Sequence, residues 1–422
     1  MKFNKTVLPS GLRVITVPMP DNPAVAILVM VEAGSKYEDK KNNGISHFLE
    51  HMVFKGTSKR PKAIEIAREL DGLGAHYNAF TSHEFTGYWA KTEASHLDRI
   101  IDIVSDMYQN PLFDEKEIEK EKGVIIEEIR MYQDMPQRYV HDVLSEALHG
   151  DQPAGWNVAG TEENVRAFGR GDFLKYRKAH YVASATTVVV AGSFDEKKAM
   201  AQLEKAFAGI PTALKEGKKP VKESQSEPAV RVSFKETDQT HIVIALRSFS
   251  LFDERIPTMD VLSTILGHGM SSRLFSKMRD ELGICYYVSA SHDAYTDHGD
   301  LAISAGVDNA RVEEAVRGIL AECARLRDEP VPATELKKVK DMIAGRTLLD
   351  LETSDSRTEF FGFEETLKHK LESPDEIIAK INAVTAADVQ KLAREIFVDK
   401  GLNMAIVGRF KDASPFKEYF KF

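Results

Sequence analysis

The 422-residue chain repeats itself, and the repeat limits the folds open to it. Asp172-Phe-Leu…His180-Tyr…Val188-Val-Val-Ala-Gly192-Ser-Phe194 reads as a helix, a strand and a Gly-x-Phe stop. Asp388-Val…Ile396-Phe…Ala405-Ile-Val-Gly408-Arg-Phe410 gives the same order near the end. Gly56-Thr-Ser-Lys-Arg60 returns as Gly269-Met-Ser-Ser-Arg273, and the charged helix after Phe113-Asp-Glu-Lys-Glu117 returns after Val331-Pro-Ala-Thr-Glu335. Two related α+β units of roughly two hundred residues each are predicted, an ordinary domain size. The expected boundaries are 1–210 and 229–422. Between them PTALKEGKKPVKESQSEP (211–228) is rich in Lys, Glu, Pro and Ser and reads as a linker.

Within the first half, Thr6–Pro18 and Ala24–Ala33 read as strands, and 34–44 as a polar loop. A helix follows, carrying His47-Phe-Leu-Glu50-His51. Residues four apart overlie each other on a helix, so the two imidazoles can grip one metal ion. Glu50, beside the second imidazole, can act on the attacking water as general base. This is the H-x-x-E-H order, the reverse of the H-E-x-x-H zinc helix. The plain alternative is a pair of surface histidines. A catalytic zinc commonly takes three protein ligands, and the charged helix Glu117–Met131 offers candidates. Glu121 and Glu128 stand two turns apart on nearly one face, one suited to ligate and one to hold a ligand histidine. Spacing alone does not separate Glu128 from Glu127. Aligned on the repeat, His47, Glu50 and His51 fall opposite Asp260, Ser263 and Thr264, while Glu121 and Glu128 fall opposite Val339 and Arg346. The whole set is present in one copy only, as expected of a site added to a duplicated scaffold.

Composition narrows the partners. A net charge of −9 with no basic stripe argues against nucleic acid. No apolar run reaches membrane-spanning length, and the first twenty residues read as a strand hairpin rather than a signal peptide. Two cysteines, Cys285 and Cys323, make no disulfide framework and read as packing residues in a reducing compartment. A cytoplasmic location is expected.

GISHFLEHMVFKGTSKR, LGAHYNAFTSHEFTGYWAK and EIEKEKGVIIEEI together resemble the inverzincin metallopeptidases of the insulinase, pitrilysin and mitochondrial processing peptidase group. The likeness covers essentially the whole chain, WNVAGTEENVRAF included, and is nearest the short members similar to the processing peptidase β subunit. It implies two related domains, each a largely antiparallel six-stranded sheet with helices on one face. It also implies a zinc endopeptidase with one Zn²⁺ per chain, held by His47, His51 and Glu128, with Glu121 behind a ligand histidine and Glu50 as the base.

Asn78-Ala79-Phe80-Thr81 has few charges and reads as an edge strand, to which an extended peptide can add. The resemblance implies that Asn78, Ala79 and Phe80 meet the substrate. It implies the same for Arg279 and Tyr286, which would reach the substrate and the tetrahedral intermediate from a facing domain by hydrogen bonds to oxygen. Tyr287 leaves the choice of tyrosine open. Longer relatives close four such domains around the peptide, so this chain is expected to act as a homodimer or with a related subunit. The rival expectation is a non-catalytic assembly or docking subunit, a type that lacks part of the motif set.

Overall fold

A computed structural model describes residues 1–422. Its eleven strands form two sheets. The first contains β1 (Asn4–Val7), β2 (Arg13–Pro18), β3 (Ala24–Val31), β4 (His76–Thr81), β5 (Thr86–Glu93) and β6 (Thr186–Gly192), in the order β1-β2-β6-β3-β5-β4. The second contains β7 (Ala229–Phe234), β8 (Gln239–Ser248), β9 (Cys285–Ala294), β10 (Gly299–Asp308) and β11 (Leu402–Gly408), in the order β7-β11-β8-β10-β9. Each sheet is antiparallel apart from one parallel pair, β2–β6 in one and β7–β11 in the other. The two strands with Gly-x-Phe stops, β6 and β11, hold matching interior positions. The second sheet thus has five strands, one fewer than the resemblance implied.

Two compact units form around these sheets, and neither is a continuous half of the chain. The first takes residues 1–129, 157–219 and 349–372; the second takes 130–156, 220–348 and 373–422. The halves therefore exchange one helix each. Strand register explains where the exchanged helices go. Val25, Ile27, Val29 and Val31 of β3 face the main helical layer with Val188 and Val190 of β6. Val189 and Ala191, with Ile15 and Val17 of β2, point the other way and pack on Phe361 of the helix Ser354–Phe363. Gly362 lets that helix come close, since a Cβ there would lie 2.7 Å from Met30 Sδ and 2.9 Å from Leu28 Cδ2. In the second unit, Val140, Val143 and Leu144 of the helix Pro136–His149 cover Val243, Ala245, Ala405 and Val407 in the same manner. Each sheet carries its helical layer on one face, as expected, plus a single foreign helix on the other.

Residues 211–228 contain no helix or strand. The first part of this stretch is tied to the first unit by ion pairs of Lys215 with Glu32, Lys218 with Glu84 and Lys219 with Asp39. Both cysteines are free and buried. No helix is long and apolar enough to cross a membrane.

Candidate metal centre

The histidine helix runs Ile45–Val53. Ile45, Phe48, Leu49 and Met52, spaced three and four apart, bury one face in the core and leave His47, Glu50 and His51 half-buried on the other. Its start is fixed by residues that the motif does not reveal. Gly44 has φ +100°, and a Cβ there would meet Ala159 O at 2.6 Å. Glu38, 2% exposed, accepts from the backbone N–H groups of Gly44 and Ser46 at 2.8 Å each and from Asn43 Nδ2 at 3.0 Å. Those donors at a helix N-terminus favour its negative charge, yet burial outweighs them and raises its pKa. The loop 34–44, expected to be merely polar, is thus a buried anchor for the helix.

The second element is the helix Glu115–Gln133. Ile118, Ile125, Ile126 and Ile129 face the core. That rotation leaves Glu127 exposed and Glu128 half-buried. Ligand atoms of His47, His51 and Glu128 all lie within 4.8 Å of one another. Glu128 Oε2 is 3.7 Å from His47 Nε2 and 3.4 Å from His51 Nε2. Of the two glutamates that spacing left open, Glu128 is the one brought to the histidines. Glu121 stands behind them. His51 Nδ1–H donates to Glu121 Oε1 at 2.9 Å, while Lys55 Nζ sits 2.6 Å from the other oxygen.

The electrostatics describe a group of side chains that wants a cation. Burial and the neighbouring His51 push His47 down to about 4 against the pull of Glu128. Burial also opposes charge on His51, but Glu121 and Glu128 outweigh it and raise the imidazole to about 9. Two converging Nε2 atoms, one carboxylate oxygen and a partner that fixes the His51 tautomer form a donor set suited to a divalent ion. Glu50 is outside that set. One of its oxygens accepts from the hydroxyl of Thr81. Burial raises its pKa, offset in part by Thr81 and His51.

β4 lies at the edge of its sheet, bonded only to β5, as predicted. Asn78 is exposed and its Oδ1 accepts from Ala79 N at 2.9 Å. Ala79 is buried. Phe80 turns toward Phe85 and Phe363, with ring centroids 6.0 Å from each. His83 pairs with Ser35 Oγ at 2.8 Å, a structural role.

In the second unit, Arg279 lies on a π-wound segment, Phe275–Glu281. Its guanidinium donates to the Tyr286 carbonyl. Tyr286 is 70% exposed. Tyr287 is instead engaged through its hydroxyl with His241 Nδ1 at 2.9 Å. Of the two tyrosines, Tyr286 has the freer side chain. Sequence reasoning missed Thr81, Glu38 and Lys55; for Lys55 the signal was its place four residues after His51, just past the end of the histidine helix.

Residues 13–162 match the insulinase family (peptidase family M16), and residues 167–343 match the peptidase M16 inactive domain. The chain is 36% identical over 390 residues to the uncharacterized zinc protease YmxG of Bacillus subtilis, covering 92% of this chain and 94% of that protein. In fold it is similar to a protease from Helicobacter pylori, with a TM-score of 0.91 at 22% identity over 96% of this chain and 99% of that one. A chain of complex III2 from Candida albicans has the same fold, with a TM-score of 0.85 at 20% identity over 99% and 100% of the two chains. The chain belongs to the insulinase family of peptidases, family M16.

Proposed function

We propose that the chain is a zinc-dependent endopeptidase acting on extended or unfolded peptides, with one zinc ion per chain. The observation that carries this reading is the convergence of His47 Nε2, His51 Nε2 and Glu128 Oε2, with Glu50 on the same helix but outside that set. A zinc ion held by His47, His51 and Glu128 would supply Lewis acidity next to the scissile carbonyl. The chain's own residues do the rest. Glu121 keeps the His51 ring oriented and its Nδ1 protonated. Glu50 takes a proton from the attacking water and returns it to the leaving amine. The open edge of β4, with Asn78, Ala79 and Phe80, pairs with the peptide backbone by strand addition. Arg279 and Tyr286 donate to peptide oxygens, and the exposure of Tyr286 supports it over Tyr287 for that role.

The reading extends to a homodimer in which Arg279 and Tyr286 of one chain serve the metal centre of the other. Free, buried cysteines fit work in a reducing compartment such as the cytoplasm. A non-catalytic assembly role is the alternative, and the complete ligand and base set speaks against it.

Unstructured peptides are the test substrate. Cleavage should disappear on chelation and return with zinc. Metal binding without cleavage by the isolated chain would point to a missing partner subunit, and no metal binding would overturn the reading. Light scattering behind size exclusion that finds an active monomer would remove the dimer.

A further inference from the structure

A general base works only while its oxygen is held where the proton is. Glu50 carries its carboxylate on three rotatable bonds, so something must hold it. The hydroxyl of Thr81 donates to Glu50 Oε2. Thr81 ends β4 and faces Thr86 across a hairpin whose turn is Ser82-His83-Glu84-Phe85.

That turn is fixed from several sides. Ser82 N donates to Phe85 O at 2.8 Å, Ser35 N to Ser82 O at 3.2 Å, and Lys36 N to His83 O at 2.8 Å. A Cβ on Gly34 would lie 2.2 Å from Ser82 O, so only glycine admits this approach. Glu84, itself 2% exposed, accepts from Lys36 Nζ at 2.9 Å and pairs with Lys218 of the same unit. A β-branched residue on such a support has a stiff χ1 and aims its hydroxyl in one direction.

We propose that Thr81 is a positioning residue of the peptidase: its hydroxyl pins one oxygen of Glu50 and leaves the other to take and return the proton. The buried Lys36–Glu84 pair, with half-buried Lys218 on the same carboxylate, holds the turn that presents Thr81. This inference rests on the general-base reading of Glu50.

Valine matches threonine in shape without the hydroxyl, and serine keeps the hydroxyl without the methyl. Thr81→Val should lower kcat about 10- to 100-fold, the scale of a misplaced catalytic group, with KM and bound zinc unchanged. Thr81→Ser should recover most of the lost kcat. High-resolution structures of the metal-free protein supply a readout independent of turnover: in Thr81→Val the Glu50 carboxylate should leave its wild-type position. A Thr81→Val enzyme with wild-type kcat overturns the proposal. So does a serine variant as impaired as the valine one, or a Glu50 that stays in place without the hydroxyl. A wild-type protein that cuts no peptide would bring down the peptidase reading, and the position of Glu50 in Thr81→Val would still decide the role of Thr81.

Discussion

The two units share a sheet plan and differ in what they place beside the edge strand. In the first, the helix Ile45–Val53 presents His47, Glu50 and His51 near Glu128, with Thr81 of β4 bonded to Glu50. In the second, the helix Ile256–Gly267 has Asp260, Ser263 and Thr264 opposite those positions, and Ser263 Oγ donates to the Asp260 carbonyl at 3.1 Å. Glu121 likewise gives way to Val339, only 2% exposed. In the second unit Gly267 lets the end of its helix meet β9, since a Cβ there would lie 2.0 Å from Ala290 N. Burying or half-burying two imidazoles and three carboxylates costs desolvation, which the second unit lessens with Ser263, Thr264 and Val339 opposite Glu50, His51 and Glu121. The scaffold forms without them. Their presence in one unit is a cost that structure alone does not explain, and that contrast can be tested.

The largest effect is expected at Glu50. Glu50→Gln should lower kcat on unstructured peptides about 100- to 10,000-fold, the range of a general base, while bound zinc measured by atomic absorption stays at the wild-type level. Ser263→Ala, at the opposite position of the second unit, should leave turnover unchanged. Equal losses in both variants would mean that the asymmetry is not catalytic.

Next comes the support behind His51. Glu121→Ala removes the acceptor of the Nδ1–H and leaves Lys55 without its 2.6 Å partner. Outer partners of this kind change metal affinity about 10- to 100-fold. Competition against a chromophoric chelator should read a loss in that range. Val339→Ala should loosen packing in the second unit and leave zinc affinity alone.

These residues also mark how far the sequence can be read. The His helix, the Glu121–Glu128 stripe, the edge strand and the two-unit repeat were legible because each rests on local periodicity or on a motif. Thr81 and Glu38 were not, because their roles arise from contacts 31 and 8 residues away in sequence. The helix exchange was also missed, although its trace is present. β3 reads AVAILVMV and β6 reads TTVVVAG, apolar at successive positions rather than at alternate ones. Strands of that kind are covered on both faces. Which helix supplies the second cover is a long-range fact that periodicity does not carry.

Packing gives a smaller contrast between the units. A Cβ on Gly267 would lie 2.0 Å from a backbone nitrogen, whereas one on Gly362 meets the side chains of Met30 and Leu28. Backbone cannot yield, but methionine can. Gly267→Ala should therefore destabilise by about 3 kcal/mol and Gly362→Ala by about 1, the two ends of the usual overpacking range. Thermal unfolding that ranks them the other way would mean that the exchanged helix is held more rigidly than the helix on β9.

The smallest expected effect is a pH slope, and each unit has a buried carboxyl whose pKa burial raises. Glu38 in the first unit is a buried carboxylate with three N–H donors. Asp300 of β10 is buried beside Asp293 and Glu223, and burial first, then those like charges, push it up to about 8 from an ordinary 3.8, against the pull of Arg247. Between those two values the native protein holds a proton that the unfolded chain has released. Raising pH through that window favours unfolding. The contribution of Asp300 is fully present below 3.8 and lost as pH rises through 8. The limit for one proton is about 1.4 kcal/mol per pH unit, and about 1 is expected after local relaxation. Asp300→Asn, which mimics the neutral acid, should flatten the denaturant-measured slope between pH 5 and 7 by that amount. An unchanged slope would mean that Asp300 is charged in the native state.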